Sequence, residues 1–235
     1  IMRDFCFLPP AGISARMFAD WLGLTTLNDI NDLIETGFVQ ANTRHTISLH
    51  PMIQEIGFSE TRPSVKSCHT LLDSLQKICL MHGTEVSYYK KMFQTMENII
   101  HLIEKDDIPK YLLFLEDTFP YMEKYHYQKG MKEIIRELKH LLKGTNHGTA
   151  SDRALLLDYQ ATMETKSEKA IKLEKEALAQ IKEITKSNAH LVSNLHANLG
   201  GLYRINSQTE FAKGHMEKGI LLLEQYKLLY TNDSI

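Results

Sequence analysis

Residues 46–57 read T-I-S-L-H-P-M-I-Q-E-I-G, and they decide how this chain of 235 residues is organised. The first four residues alternate polar and apolar side chains and include β-branched members, a pattern typical of a strand. Pro51 ends the strand, because it has no N–H for a ladder and its fixed φ suits the first turn of a helix. Met52, Ile53 and Ile56 then supply an apolar helix face. The stretch therefore predicts a strand that leads directly into a helix.

The residues before this stretch carry mixed signals. A short apolar helix is predicted over residues 2–8, and Ser14 is a good N-cap for a second helix. A capping box at residues 26–29 opens a third helix that runs to residue 36. Short strands at residues 38–39 and 47–49 enclose a turn. Three helices, a hairpin and a further helix are the order of a winged-helix domain, in which the second and third helices form the helix-turn-helix.

From residue 62 onward the apolar residues recur at helical spacing to the end of the chain. The last four predicted helices lie at about residues 152–165, 167–186, 189–206 and 209–229. Four apolar or small residues in the first pair recur forty-two residues later: Leu157, Ala170, Ala177 and Leu178 return as Leu199, Ala212, Gly219 and Ile220. A fixed period of this size is typical of an α-solenoid. We therefore predict a mainly α fold, with a winged-helix domain at residues 1–60 and a helical-repeat domain at residues 61–235.

The composition excludes several classes of protein. The net charge is −2, so no general attraction to nucleic acid or to an anionic membrane is expected. No apolar run approaches the roughly 20 residues that span a bilayer, so no membrane partner is expected. The three cysteines are widely spaced and odd in number, which favours a reducing, cytoplasmic location.

A winged helix raises the hypothesis of DNA binding, but the charges oppose it. Residues 1–60 contain three basic side chains against seven acidic ones. The would-be recognition helix carries Asp29, Asp32 and Glu35 and no lysine or arginine. Affinity for DNA depends on neutralising phosphates, so DNA is not the expected partner. A transcriptional regulator with a winged-helix DNA-binding domain and a repeat effector domain remains the alternative.

No motif in the sequence indicates catalysis. There is no G-x-x-x-x-G-K-[ST] phosphate loop, no G-x-S-x-G and no HExxH, so we expect neither an enzyme nor a metal site. The acidic residues Glu174 and Glu176 lie in a lysine- and glutamate-rich stretch, which predicts a solvated helix face.

The run Asn198-Leu199-Gly200-x-x-Tyr203, with Ala212 nine residues further on, resembles a tetratricopeptide repeat. The forty-two-residue period resembles the variety found in kinesin light chains and in many bacterial signalling proteins. This resemblance implies a groove that binds a protein or a peptide. The groove residues that it implies are Asn194, Asn198 and Arg204 in the last repeat and Tyr159 and Thr162 in the preceding one.

The residues around the opening stretch resemble the winged-helix domain that follows the nucleotide-binding core of STAND-class (NB-ARC-type) signalling NTPases. The similar segments are residues 33–39, L-I-E-T-G-F-V, and residues 47–53, I-S-L-H-P-M-I. The resemblance implies that His50 contacts the diphosphate of a nucleotide held by an upstream core.

The resemblance implies that this chain is a sensor portion of a longer protein. ATP or ADP then belongs to the full-length protein, and this portion contains no cofactor. Its partners are a protein or peptide ligand, its own nucleotide-binding domain, or both. His50 is expected to lie accessibly at the strand's end and to add little to the stability of this portion.

Overall fold

The computed structural model describes residues 1–42, 46–81, 86–143 and 148–228. Within these ranges the chain is mainly helical and carries one small antiparallel sheet of three strands. The helices are α1 (Met2–Phe5), α2 (Ala15–Trp21), α3 (Asn28–Glu35), α4 (Pro51–Thr61), α5 (His69–Leu80), α6 (Val86–Leu102), α7 (Ile108–Lys124), α8 (Gln128–Leu142), α9 (Ala150–Thr162), α10 (Ser167–Gln180), α11 (Ala189–Ile205) and α12 (Thr209–Gln225). The strands are β1 (Ile13–Ser14), β2 (Val39–Ala41) and β3 (Thr46–Leu49).

The chain divides into two compact units, an N-terminal unit (Ile1–Glu137) and a C-terminal unit (Leu138–Ile235). The domain boundary that the sequence predicts near residue 60 lies inside the N-terminal unit. The described ranges contain no helix that is both long and apolar enough to cross a membrane.

The sheet in the N-terminal unit has β3 at its centre, in the order β1-β3-β2. Ile13 lies opposite Ile47, and Val39 lies opposite Leu49. All four of these side chains are buried, so the sheet places one face on the core. The predicted hairpin is present as β2 and β3, while residues 43–45 of its turn lie outside the described residues. The sequence did not predict β1.

Residues 46–57 form the strand and helix that their pattern predicts. β3 ends at Leu49, and Pro51 is the first residue of α4. His50 is the N-cap, and its Nδ1 accepts a hydrogen bond from the backbone N–H of Met52 at 3.2 Å. Further along α4, a Cβ added to Gly57 would lie 3.2 Å from the Sγ of Cys6. A side chain at this position would therefore require Cys6 or α4 to shift by a few tenths of an ångström.

The start of α3 differs from the prediction. The helix begins at Asn28 with Leu27 as its N-cap, and no side chain caps it. The hydroxyl of Thr26 instead accepts a bond from the backbone N–H of Asn28 at 3.5 Å, an arrangement local to the preceding turn. The predicted capping box is therefore wrong. Ser14, by contrast, caps α2 by accepting from the backbone N–H of Met17, as its position predicts.

In the C-terminal unit, α9 packs along α10, α11 packs along α12, and α10 also contacts α11. A reciprocal capping box between Thr149 and Asp152 starts α9. α10 ends at Gln180 rather than at the predicted residue 186, because the backbone of Ile181 is already extended, with ψ near 100°.

Candidate functional site

Small residues allow the helices of the C-terminal unit to approach closely. Ala170, Ala177 and Ala212 are buried. A Cβ added to Gly219 would lie only 3.1 Å from the carbonyl oxygen of Ser193, so the absence of a side chain there allows α11 and α12 to lie close together. The hydroxyl of Ser193 donates to the carbonyl of Gly219 at 2.9 Å across the same contact. The helix pairs are therefore held together at positions that recur with the forty-two-residue period.

This packing gives α11 two different faces. One face buries Leu195, Leu199 and Tyr203. The opposite face carries an exposed row of side chains at helical spacing, which we call the α11 stripe. Its exposed members are Asn194, Ala197, Asn198, Arg204 and Ile205. Gly201 lies in the same row, and a Cβ added to it would meet nothing within 4 Å, so the backbone there is open.

The structure places the predicted groove residues in different environments. Asn194, Asn198, Arg204 and Thr162 are exposed. Tyr159 is only 4% exposed, so it belongs to the interior of the unit and offers almost no surface to a ligand. Asn194 contacts the ring Nδ1 of His190, one turn earlier on the same helix, at 3.3 Å.

Asn198 joins a pair of carboxyl groups on two other helices. Its side-chain amide donates to Oδ1 of Asp158 on α9 at 2.9 Å. The carboxyl group of Asp158 in turn lies beside that of Glu174 on α10. Burial, and then the neighbouring Asp158 carboxyl, raise the pKa of Glu174 to about 9, and burial also raises the pKa of Asp158. The Glu174 carboxyl therefore keeps its proton at neutral pH.

This carboxyl pair corrects one prediction from the sequence. Glu174 does not lie on a solvated helix face, because its side chain is only 2% exposed and its Oε2 lies buried. Glu176, two residues further on, is exposed as expected. In the following repeat the equivalent positions hold Gly200 and Met216, which are in direct contact. One repeat thus packs with an apolar contact where the other packs with two carboxyl groups.

Two histidines meet between α11 and α12. The Nδ1 atoms of His196 and His215 lie 2.9 Å apart, so one ring donates and the other accepts. Burial, and then His215 and Lys218, lower the pKa of His196 to about 4. Burial also lowers the pKa of His215. Both rings are therefore neutral at physiological pH.

An open hollow of about 850 Å³ lies between the first turns of α10 and the turn that joins α11 to α12. The ring of Phe211 stacks on Tyr203 with centroids 5.4 Å apart, and the Nζ of Lys175 lies 5.5 Å from the Tyr203 centroid. Phe211 is 62% exposed. The sequence does not predict this hollow, because its lining residues come from three separate helices.

In the N-terminal unit, His50 is exposed at the end of β3. Its Nδ1 is engaged as the cap of α4, which leaves Nε2 as the ring nitrogen able to donate a hydrogen bond outward. Three acidic side chains of α3, Asp29, Asp32 and Glu35, are exposed.

In the described part of the chain, no cluster of three or more histidine, cysteine, aspartate or glutamate side chains could hold a metal ion. Comparisons with protein-family models, with curated proteins and with solved structures found no match to this chain.

Proposed function

We propose that the C-terminal unit is a tetratricopeptide-type repeat that binds a peptide segment of a partner protein along the α11 stripe. The observation that carries this proposal is the stripe itself. It presents hydrogen-bonding and cationic side chains, among them Asn194 and Arg204, on a helix whose opposite face is buried. A peptide backbone has carbonyl and N–H groups that need hydrogen-bond partners. Side chains already held on a packed helix can supply these partners with little loss of conformational entropy on binding.

The internal repeat supports this part of the proposal. The period of forty-two residues keeps small residues at the same close contacts in both helix pairs, as in Ala170 and Ala212 or Ala177 and Gly219. Stacked helix pairs of this kind form extended binding surfaces in repeat proteins.

We further propose that the N-terminal unit contains a winged-helix domain of the type that adjoins the nucleotide-binding core of STAND-class signalling proteins. The element order α1-β1-α2-α3-β2-β3 and the sheet order β1-β3-β2 support a winged helix. The exposed acidic side chains of α3 favour a regulatory role over DNA binding, since they would repel phosphates.

In this proposal the chain is a non-catalytic sensor. Binding of a partner segment in the C-terminal unit would be coupled to nucleotide state through His50, whose exposed ring could donate from Nε2 to a phosphate oxygen. The three unpaired cysteines support a cytoplasmic setting.

A selection from a peptide library displayed on phage tests the binding role. The chain is compared with a variant that carries Thr162→Ala, Asn194→Ala and Arg204→Ala. Asn198 is left intact because it holds Asp158. We expect sequences enriched on the wild-type chain to lose most of their binding to the variant, since each substitution removes an exposed polar contact.

The matched control carries Lys172→Ala and Glu176→Ala, two exposed residues of α10 that pair with each other on the surface. This control should bind the enriched peptides as the wild type does. If no peptide is enriched, or if the stripe variant and the control bind equally, the proposed role of the stripe is wrong.

A further inference from the structure

A second hollow, of about 520 Å³, lies in the C-terminal unit between the last turn of α8 and the helices α9 and α10. Three half-buried leucines, Leu142, Leu156 and Leu157, form its apolar floor. Its volume falls within the roughly 300–1,000 Å³ typical of small binding pockets. None of these residues belongs to the α11 stripe, so the hollow is a separate feature.

The internal repeat explains why the hollow exists. Arg153 occupies the position that Leu195 holds forty-two residues later. Leu195 is fully buried and packs with Ala154 and Ala177. The guanidinium of Arg153 is exposed instead, and it donates to the carbonyl oxygen of Gly148 at 3.0 Å. The first repeat therefore lacks the apolar side chain that closes the equivalent contact in the second repeat.

The rim of the hollow is cationic. Lys139, Lys143 and Arg153 line it and are all exposed. No carboxylate is among its lining residues in the described part of the chain. None of the three cations forms an ion pair with any described residue. The positive charges therefore remain available to a ligand from solution.

We propose that this hollow is a docking site for a partner peptide whose leucine-sized side chain enters it between flanking acidic residues. The peptide's leucine side chain would make the apolar contact that Leu195 makes in the second repeat and that Arg153 does not make in the first. The acidic neighbours would pair with cations that stand on two different helices around the opening. Charges spread around the rim in this way match several carboxylates beside an anchor better than the single headgroup of a fatty acid.

The probe is a short peptide, blocked at both ends, with one leucine flanked on each side by aspartates. Binding is followed by NMR in the complete chain with labelled leucine methyl groups. We expect the methyl signals of Leu142, Leu156 and Leu157 to shift. Replacing the peptide's leucine by serine should weaken binding about 10- to 100-fold, because the burial of one leucine side chain is lost. Replacing the aspartates by lysines should remove the shifts.

The substitution Arg153→Leu tests the site from the protein side. A leucine here should fill the hollow as Leu195 fills its equivalent, so binding should weaken about tenfold or more while the thermal midpoint is kept or raised. The matched control Lys172→Leu also removes an exposed cation but leaves the hollow unchanged, and it should bind the probe as the wild type does.

Several results would overturn the proposal. One is that the methyl signals of Leu142, Leu156 and Leu157 do not shift at a high concentration of the aspartate–leucine peptide. Another is that the lysine peptide binds as well as the aspartate peptide. A third is that the Arg153→Leu variant folds and binds the peptide as the wild type does. Decanoate that shifts the same leucines and displaces the peptide at lower concentration would identify a fatty-acid site instead. No residue of the α11 stripe is changed or monitored in this test, so its outcome is independent of the phage selection.

Discussion

Replacing Glu174 by glutamine should make the C-terminal unit less sensitive to pH. In the folded chain the Glu174 carboxyl is buried against Asp158 and has a pKa near 9, against 4.5 for an ordinary glutamate. Between these two values the folded chain holds a proton that the unfolded chain releases. The free energy of unfolding of the wild type must therefore fall as pH rises through this window.

The size of the effect follows from the number of protons. A difference of one bound proton changes the free energy of unfolding by about 1.4 kcal/mol per pH unit. Going from about pH 6 to about pH 8, the wild type should lose at most about 2.7 kcal/mol from this source. Glutamine has nearly the same shape, does not titrate, and can donate its amide to Asp158. In the Glu174→Gln variant, the free energy of unfolding should therefore depend much less on pH over this range.

Amide hydrogen exchange in α10 and α11 measures the effect where it arises, because it reports the local free energy of opening. The exchange rates are measured at several pH values and corrected for the intrinsic pH dependence of exchange. Glu176→Gln is the matched control, since Glu176 is exposed two residues away on the same helix. The reasoning fails if Glu174→Gln keeps the wild-type slope, or if Glu176→Gln removes as much of it.

Three further predictions test other contacts. Ala212→Leu should lower the stability of the C-terminal unit by about 1–3 kcal/mol, because it overpacks a close helix contact; Ala197→Leu on the exposed stripe is the control in the same thermal melt, and equal melts would refute the repeat alignment. His50→Ala should lower the free energy of unfolding in urea by about 0.5–2 kcal/mol, because the N-cap of α4 is lost. His50→Asn should keep most of that stability, because asparagine can also cap a helix. An equal loss in both variants would show that the cap is unimportant. Since the pKa values of His196 and His215 are lowered in the folded chain, stability should fall as pH drops below about 6.5; a His215→Gln variant should have a thermal midpoint that falls less, and an unchanged acid profile would contradict this account.

Local signals in the sequence predicted much of the fold. Ser14 and Pro51 mark the starts of α2 and α4 because their effects depend on only a few neighbouring residues. The recurrence of Ala170 at Ala212 located the close helix contacts, because a small residue is needed wherever two helices approach. These features depend on a few neighbouring residues or on a regular period, so they can be predicted from a single sequence.

Features that depend on distant partners could not be predicted in this way. β1 consists of two residues, and its strand geometry comes from pairing with β3. Glu174 looks solvated among lysines, but its partner Asp158 lies on another helix, so its burial is decided by tertiary packing. His50 was expected to contribute little to stability, and its capping bond to Met52 revises that expectation. The hollow at Arg153 is visible in the sequence only after the structure shows what Leu195 does.

The central claim is that a partner segment lies along the α11 stripe. The most direct test places a photo-crosslinking amino acid at Asn194, and in a separate control at Lys172 on α10. Each labelled chain is illuminated with a phage-selected peptide and then digested to locate the crosslink. The account predicts a crosslink at position 194 that excess unlabelled peptide removes, and none at position 172. A peptide that crosslinks at position 172 and not at position 194 would contradict it.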